Sequence, residues 1–186
     1  MEQVVLVDEN NQEIGLADKA TVHTKKTPLH RGFSLWLFNS KKELLLTQRA
    51  WNKLTFPGVW TNTLCGHPGA AESVIVAARR RLKDELRMTR SEIATPDKYQ
   101  DKNYESIEIK EVAPYEYRFT DKNGIVENEI CPILVGHSDE EPKPNPEEIA
   151  DWKWIPWQEF LDNIKENPRQ YSPWSREEAK ILSKII

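Results

Sequence analysis

The 186 residues contain only two cysteines and four histidines, and one of each falls in a single short stretch, Leu64-Cys-Gly-His-Pro-Gly-Ala-Ala-Glu72. A thiol and an imidazole two positions apart can hold a metal, move protons or simply fill space. Other residues bear on that choice. His23 and His30 lie near the N-terminus, and Val126-Glu-Asn-Glu-Ile130 carries two carboxylates at alternate positions. If that segment is a strand, Glu127 and Glu129 share one face. An exposed face would leave them to water, whereas a buried face would demand a metal or a basic partner. The apolar continuation Ile-Cys-Pro-Ile-Leu-Val favours burial. Imidazole nitrogen with carboxylate oxygen suits a divalent first-row ion such as Zn, Mn or Fe. His23, His30, His67, Glu127 and Glu129 therefore form a candidate metal set, while His137 reads as a surface residue. Tyr117 can reach the same face across a hairpin and hydrogen-bond one glutamate, or it can be one of an aromatic row with Tyr115 and Phe119.

These residues need elements to position them. Val4–Val7 reads as a strand, with a second near Ile14–Leu16 and a loop carrying His23 and His30. Phe33–Phe38 is an almost continuous apolar run and predicts a buried strand, turning through NSKKE into Leu44–Leu46. Trp51–Asn62, with Pro57-Gly58, reads as a loop. Residues Glu72–Leu86 predict a helix, since Val74, Ala78, Leu82 and Leu86 recur every fourth position. On it Arg81 and Glu85 are spaced i,i+4, either as a stabilising pair or as two groups offered to a site. Tyr115–Phe119 and Ile125–Cys131 flank Asp121-Lys-Asn-Gly124, a hairpin signal. Asp139–Glu148 is acidic and Pro-rich and reads as a surface loop. A strand at Asp151–Ile155, a helix opening at Pro156 and stopped by Asn167-Pro168, and a last helix after Ser172-Pro-Trp174 complete the pattern. The charged stretch Pro96–Lys110 has no assigned role. The mixture predicts one α/β layered domain over 1–186 with a mixed sheet.

The net charge of −4 supplies no global basic field, so nucleic acid is not an expected partner and a phosphorylated ligand would need a local basic pocket. Two cysteines make no disulfide framework. The opening MEQVVLVDENNQE has no signal-peptide pattern and no apolar run approaches ~18 residues, so a cytoplasmic monomer without membrane contact is expected.

Taken together, the residues resemble two nested families. Gly66, Glu72, Arg80, Leu82, Asp84-Glu85 and Met88 are spaced like a Nudix box, with departures. The box expects Glu where Arg81 stands, Glu at Asp84 and Gly at Arg87. Within that superfamily, HTKKTPLHRGFSLWLFN (23–39), TNTLCGHP (61–68), GIVENEICP (124–132) and YSPW (171–174) resemble the type I isopentenyl-diphosphate isomerases over essentially the whole chain. The resemblance implies a Nudix-like α/β/α fold. It also implies interconversion of isopentenyl and dimethylallyl diphosphate by protonation and deprotonation through a tertiary carbocation.

It further implies Cys65 and Glu129 as the proton-transfer pair, with Tyr117 assisting Glu129. His23, His30, His67, Glu127 and Glu129 would hold one divalent ion (Mn, Zn or Fe), and Glu85 a Mg ion bridged to the diphosphate. Lys19, Arg49, Lys53 and Arg81 would contact the phosphates, and Trp174 would face the cation. A thiol of ordinary pKa ~8.5 can give or take a proton with modest tuning, and a helix following Cys65 would favour its thiolate. Arginine at position 81 favours holding a diphosphate over cutting it. A pyrophosphohydrolase and a non-catalytic metal-binding module, with Cys65 and His67 both as ligands, are the rival readings.

Overall fold

The computed structural model describes residues 2–89 and 107–186; of the stretch 96–110, the part up to residue 106 lies outside the described residues. In chain order come β1 (Gln3–Val7), β2 (Glu13–Asp18), α1 (Lys19–Val22), β3 (His30–Arg31), β4 (Phe33–Phe38), β5 (Glu43–Arg49), β6 (Trp60–Thr61) and β7 (Leu64–Gly66). They are followed by α2 (Val74–Arg81), β8 (Ile109–Ala113), β9 (Glu116–Thr120), β10 (Val126–Ile130), β11 (Ile133–His137), β12 (Ile149–Pro156), α3 (Trp157–Glu166) and α4 (Pro173–Leu182).

The strands form two mixed sheets where the sequence predicted one. The first has the order β2-β1-β3-β10-β9. The second has the order β12-β5-β4-β11-β8, with β6 paired to β5 and β7 to β4. Two strand pairs, β3 with β10 and β4 with β11, run parallel. Both connections change sheets at the same level, one at Gly32 and the other at Cys131-Pro132. There the backbones stay bonded, the Gly32 N–H donating to the Ile130 carbonyl (2.9 Å) and the Ser34 N–H to that of Pro132 (3.1 Å). The sheets diverge from this fork.

β4 is buried at every position because both faces of its sheet are covered. Phe33, Leu35 and Leu37 pack with Leu64, Ala77, Ala78, Leu82 and Leu86 under α2. Trp36 and Phe38 pack with Leu44, Leu46, Phe160, Ala179 and Leu182 under α3 and α4. A strand covered on both faces loses the polar alternation of a surface strand, which is why the run FSLWLF is continuous. This is the α/β/α layering expected.

The Glu72–Leu86 helix is shorter than predicted and changes character. Ser73 caps α2, its hydroxyl accepting from the Val76 N–H (3.3 Å), so Glu72 precedes the helix. After Arg81 the chain widens into a π-turn, Leu82–Leu86, ended by Arg87 at φ 54°, a left-handed residue where the Nudix pattern expects glycine. The loop 139–148 docks on that end. The Lys143 N–H donates to the Leu86 carbonyl (2.8 Å) and the Asn145 N–H to that of Glu85 (2.7 Å), so helix-end carbonyls that would otherwise lack partners are satisfied. The acidic stretch is therefore a tethered loop, and it delivers Glu148 inward.

Candidate active site and metal centre

A cavity of about 580 Å³ opens between the diverging sheets. The first sheet and its connections contribute His23, Tyr117, Glu127 and Glu129; the second contributes Arg49 and Cys65; α2 and its π-turn contribute Arg81 and Glu85; and α4 contributes Trp174. Lys19, Lys53 and His67 also line it. Of the residues singled out from sequence, His30 alone does not line the cavity. It lies on β3, not in a loop, and is completely buried behind the wall.

The predicted register of the hairpin holds. β9 and β10 are antiparallel with Glu129 opposite Tyr117 and Glu127 opposite Phe119, so both carboxylates point to one face and both are buried. The three imidazoles gather on that face with ring centroids 5.0 to 5.6 Å apart. One ligand atom each from His23, His30, His67 and Glu129 lie within 4.8 Å of one another. Glu129 Oε1 is 3.2 Å from His67 Nε2 and 3.6 Å from His30 Nε2, and Glu127 Oε2 is 3.2 Å from His23 Nε2. The other oxygen of Glu127 accepts from the Thr55 hydroxyl. His30 Nδ1 lies 2.9 Å from the Pro28 carbonyl, which can only accept, so in the neutral ring Nε2 is the nitrogen with the lone pair and in the protonated ring it donates to Glu129. That Nε2 faces His67 Nε2 at 3.3 Å. Among the described residues His67 Nδ1 is buried without a hydrogen-bond partner, and His23 Nε2 has none beyond its 3.2 Å approach to Glu127 Oε2. Two imidazole nitrogens crowded on one carboxylate, with a third against another, make a place that a cation would stabilise, and the N/O donor set fits a divalent first-row ion.

The electrostatics agree. Burial raises the Glu129 carboxyl, but the charges and hydrogen bonds of His67 and His30 outweigh it and hold it well below the usual range. Burial lowers His30, yet Glu129 more than compensates and its pKa is raised; for His67 burial wins and the pKa is lowered. Gly32 makes room for this arrangement, since a Cβ there would stand 1.9 Å from Glu129 Oε2. Tyr117 lies directly across from Glu129 but makes no hydrogen bond to it among the described residues. Burial first, then the Glu129 charge, keeps the phenol protonated. Tyr117 instead stacks between Tyr115 (5.6 Å) and Phe119 (5.3 Å), the aromatic row of the alternative reading.

Cys65 departs from expectation. It lies on β7, nine positions ahead of α2, too far for the helix dipole to act on it, since that effect fades within the first turn. Burial, then the charges of Glu178 and Glu129, raise the thiol pKa strongly, so the sulfur keeps its proton. Sγ sits 3.4 Å from Asn62 Oδ1 and 3.7 Å from Ser34 Oγ. The indole Nε1–H of Trp174 donates to the same Asn62 oxygen (3.2 Å) and to Thr61 (3.0 Å). Trp174 is almost wholly buried, yet it lines the cavity beside Cys65 and Phe56 and stacks on Tyr117. The guanidinium of Arg49 lies over its ring at 5.5 Å.

Three of the cations at the cavity are held by carboxylates, while Arg49 donates to the Thr55 carbonyl (2.9 Å) and hydroxyl (3.3 Å). Arg81 pairs with Glu85 (2.6 Å), Glu148 (3.4 Å) and Glu2 (3.7 Å); Lys19 pairs with Glu2 (2.9 Å); and Lys53 pairs with Glu148. Both readings of the i,i+4 pair therefore hold together, for Arg81 and Glu85 are bonded and both line the cavity. Burial raises the Glu85 carboxyl and Arg81 only partly offsets it. Glu2, Glu148, Asn62, Thr55 and Glu178 went unnoticed in the sequence. The buried polar residues among them carry no periodic signal, and Glu148 was hidden in an acidic loop.

The chain matches the NUDIX domain family over residues 28–175. It is 43% identical to the isopentenyl-diphosphate Delta-isomerase of Saccharopolyspora erythraea over 186 residues, spanning 100% of this chain and 88% of that protein. It is 44% identical over 174 residues to the enzyme of that name from Paenarthrobacter aurescens, covering 93% of this chain and 86% of the relative. Among solved structures, a Deinococcus radiodurans protein, DR0079, superposes with a TM-score of 0.71 at 17% identity over 96% of this chain and 98% of that one. The MutT protein of Methanosarcina mazei follows at a TM-score of 0.63 and 15% identity, covering 84% and 94%.

Proposed function

The chain belongs to the NUDIX family and, within it, to the isopentenyl-diphosphate Delta-isomerases, and from that premise we propose how its cavity interconverts isopentenyl and dimethylallyl diphosphate. Cys65 and Glu129 form the proton-transfer pair. The observation that carries this reading is that the two groups reach one cavity from different sheets, with a patch of Lys19, Lys53 and Arg81 lining the same space. A flat five-carbon chain held by its diphosphate then lies between a sulfur and a carboxyl. One group delivers a proton to the alkene, the π electrons form the new C–H bond, and a tertiary carbocation results. The other group removes an allylic proton, whose C–H electrons become the new double bond. The roles exchange with the direction of turnover.

His23, His30, His67, Glu127 and Glu129 would hold a divalent ion, Mn, Zn or Fe, and Glu85 would be a ligand of a Mg ion that serves the diphosphate. Such ions would supply positive charge beside the reacting carboxylate and the phosphates. Arg49, Lys19, Lys53 and Arg81 bind the diphosphate; Lys19, Lys53 and Arg81 exchange their carboxylate partners, and Arg49 its bonds to Thr55, for phosphate oxygens. Trp174 presents its ring to the cation, a contribution of about 2 kcal/mol when desolvated, and Tyr117 steadies Glu129. Residues 1–186 act as one domain, a cytoplasmic monomer that engages neither nucleic acid nor membrane. No helix among the described residues is long and apolar enough to cross a membrane.

Incubation of the metal-loaded protein with isopentenyl diphosphate in D₂O tests the reading. Dimethylallyl diphosphate carrying deuterium, with no phosphate or diphosphate released, is the expected NMR result. Release of either anion would convert the assignment to a hydrolase.

A further inference from the structure

Glu178 is a carboxyl that the reaction just described does not use, yet it is completely buried in the α4 face of the second sheet. One oxygen, Oε2, accepts from the Ser34 hydroxyl at 2.5 Å and from the Trp36 indole N–H at 2.6 Å; the other has no hydrogen-bond partner among the described residues. A buried polar group kept in this way requires a compensating role, since an apolar replacement would avoid the desolvation cost. The direction of the bonds identifies one. Oε2 receives the donor-only Trp36 N–H as well, so it is the accepting oxygen, a carboxyl proton sits on Oε1, and the single hydroxyl proton of Ser34 goes to Oε2. The Ser34 oxygen is thereby left as an acceptor, taking a bond from Asn62 Nδ2 at 2.8 Å and facing Cys65 Sγ at 3.7 Å. Asn62 Nδ2 also lies within hydrogen-bond distance of the Leu35 (3.0 Å) and Leu64 (2.9 Å) carbonyls, so Asn62 Oδ1 is turned towards the thiol and the Trp174 indole. Ser34, Asn62 and Glu178 are all fully buried, so water does not replace any of these bonds.

We propose that Glu178 is a positioning residue for the isomerisation, its carboxyl oxygen binding the Ser34 proton so that Ser34 and Asn62 present acceptors to Cys65 and fix the seat and S–H direction of the reacting sulfur. The proposal rests on the reading of Cys65 given under Proposed function. It differs from a purely structural tie between α4 and β4, which would act through the Trp36 bond and the placement of Trp174 one turn earlier on the same helix.

Steady-state isomerisation by the metal-loaded protein separates the two, using Glu178→Leu, Glu178→Gln, Ser34→Ala and the Ser34→Ala/Glu178→Leu double variant. Glu178→Leu and Ser34→Ala should each lower kcat about tenfold while KM stays within about twofold. Glu178→Gln should recover most of the loss, because its amide oxygen accepts the same two bonds. The double variant should be no slower than Ser34→Ala alone, as expected for two residues acting through one path. Losses that multiply in the double variant would place the effect in α4 and Trp174 and overturn the proposal, as would a Glu178→Gln protein as slow as Glu178→Leu. Should Glu178→Leu not fold, Ser34→Ala decides, since it keeps the Trp36 bond: a kcat loss at near-constant KM supports the proposal and unchanged kcat refutes it. A wild-type control that does not isomerise refutes the functional reading itself and is recognised before any variant is compared.

Discussion

At the scale of single residues, the proposed chemistry turns on Cys65. Its neighbours are an amide oxygen and a hydroxyl oxygen, and none of the three histidines stands among its hydrogen-bond partners. The rival in which Cys65 and His67 share a metal is therefore disfavoured, because the grouped ligand atoms come from His23, His30, His67 and Glu129. Cys65→Ala should keep its bound metal and its melting temperature while kcat falls by a factor on the order of 10³ or more. Metal analysis beside turnover checks this, and loss of the ion would revive the rival. The histidine and glutamate set was legible in the sequence because strand alternation forces Glu127 and Glu129 onto one face. Ser34 and Glu178 were not legible. They meet across most of the chain's length, and a serine inside FSLWLF reads as one more buried strand position until α4 lies over it.

At the scale of elements, the end of α2 shows sequence and structure in partial conflict. The apolar stripe and the Arg81–Glu85 spacing correctly marked the helix, but nothing in the spacing announced that Leu82–Leu86 would widen into a π-turn. The widened turn is bonded through its carbonyls to loop 139–148, a contact that side-chain periodicity does not report. Arg87 ends the turn at φ 54° with its side chain exposed, a conformation that costs a residue with a Cβ about 1–2 kcal/mol. Arg87→Gly removes that cost and adds backbone freedom to the unfolded chain. A net gain of about 0.5–1 kcal/mol is expected, measured by urea denaturation. Activity should be unaffected, since Arg87 does not line the cavity.

At the scale of the molecule, layering and domain class followed from the continuous β4 run and the flanking amphipathic helices, whereas the division into two sheets did not. Strand signals say which segments pair, but not that two parallel pairs switch partners side by side. The layer that buries Glu178 also sets a pH dependence. Burial pushes its carboxyl up to about 8, against the hydrogen bonds of Ser34 and Trp36, which act the other way. The folded protein therefore binds this proton more tightly than the unfolded chain, whose carboxyl titrates near the ordinary value of 4.5. Its stabilising contribution is complete below about pH 4.5 and is lost as pH rises towards and through about 8. Wild-type protein should lose stability between about pH 4.5 and about 8, and Glu178→Gln should flatten that slope in denaturant titrations. An unchanged slope would locate the pH dependence elsewhere.

The fork at Gly32 and Cys131-Pro132 has a kinetic side. The pairing of Glu129 with His30 joins positions about a hundred residues apart, and contacts so distant in the chain form slowly. Neither sheet alone holds both the thiol and the carboxyl, so a half-built molecule has hairpins and helices but no reaction chamber. Competence to hold an ion and a substrate therefore requires both long-range parallel pairings to be in place.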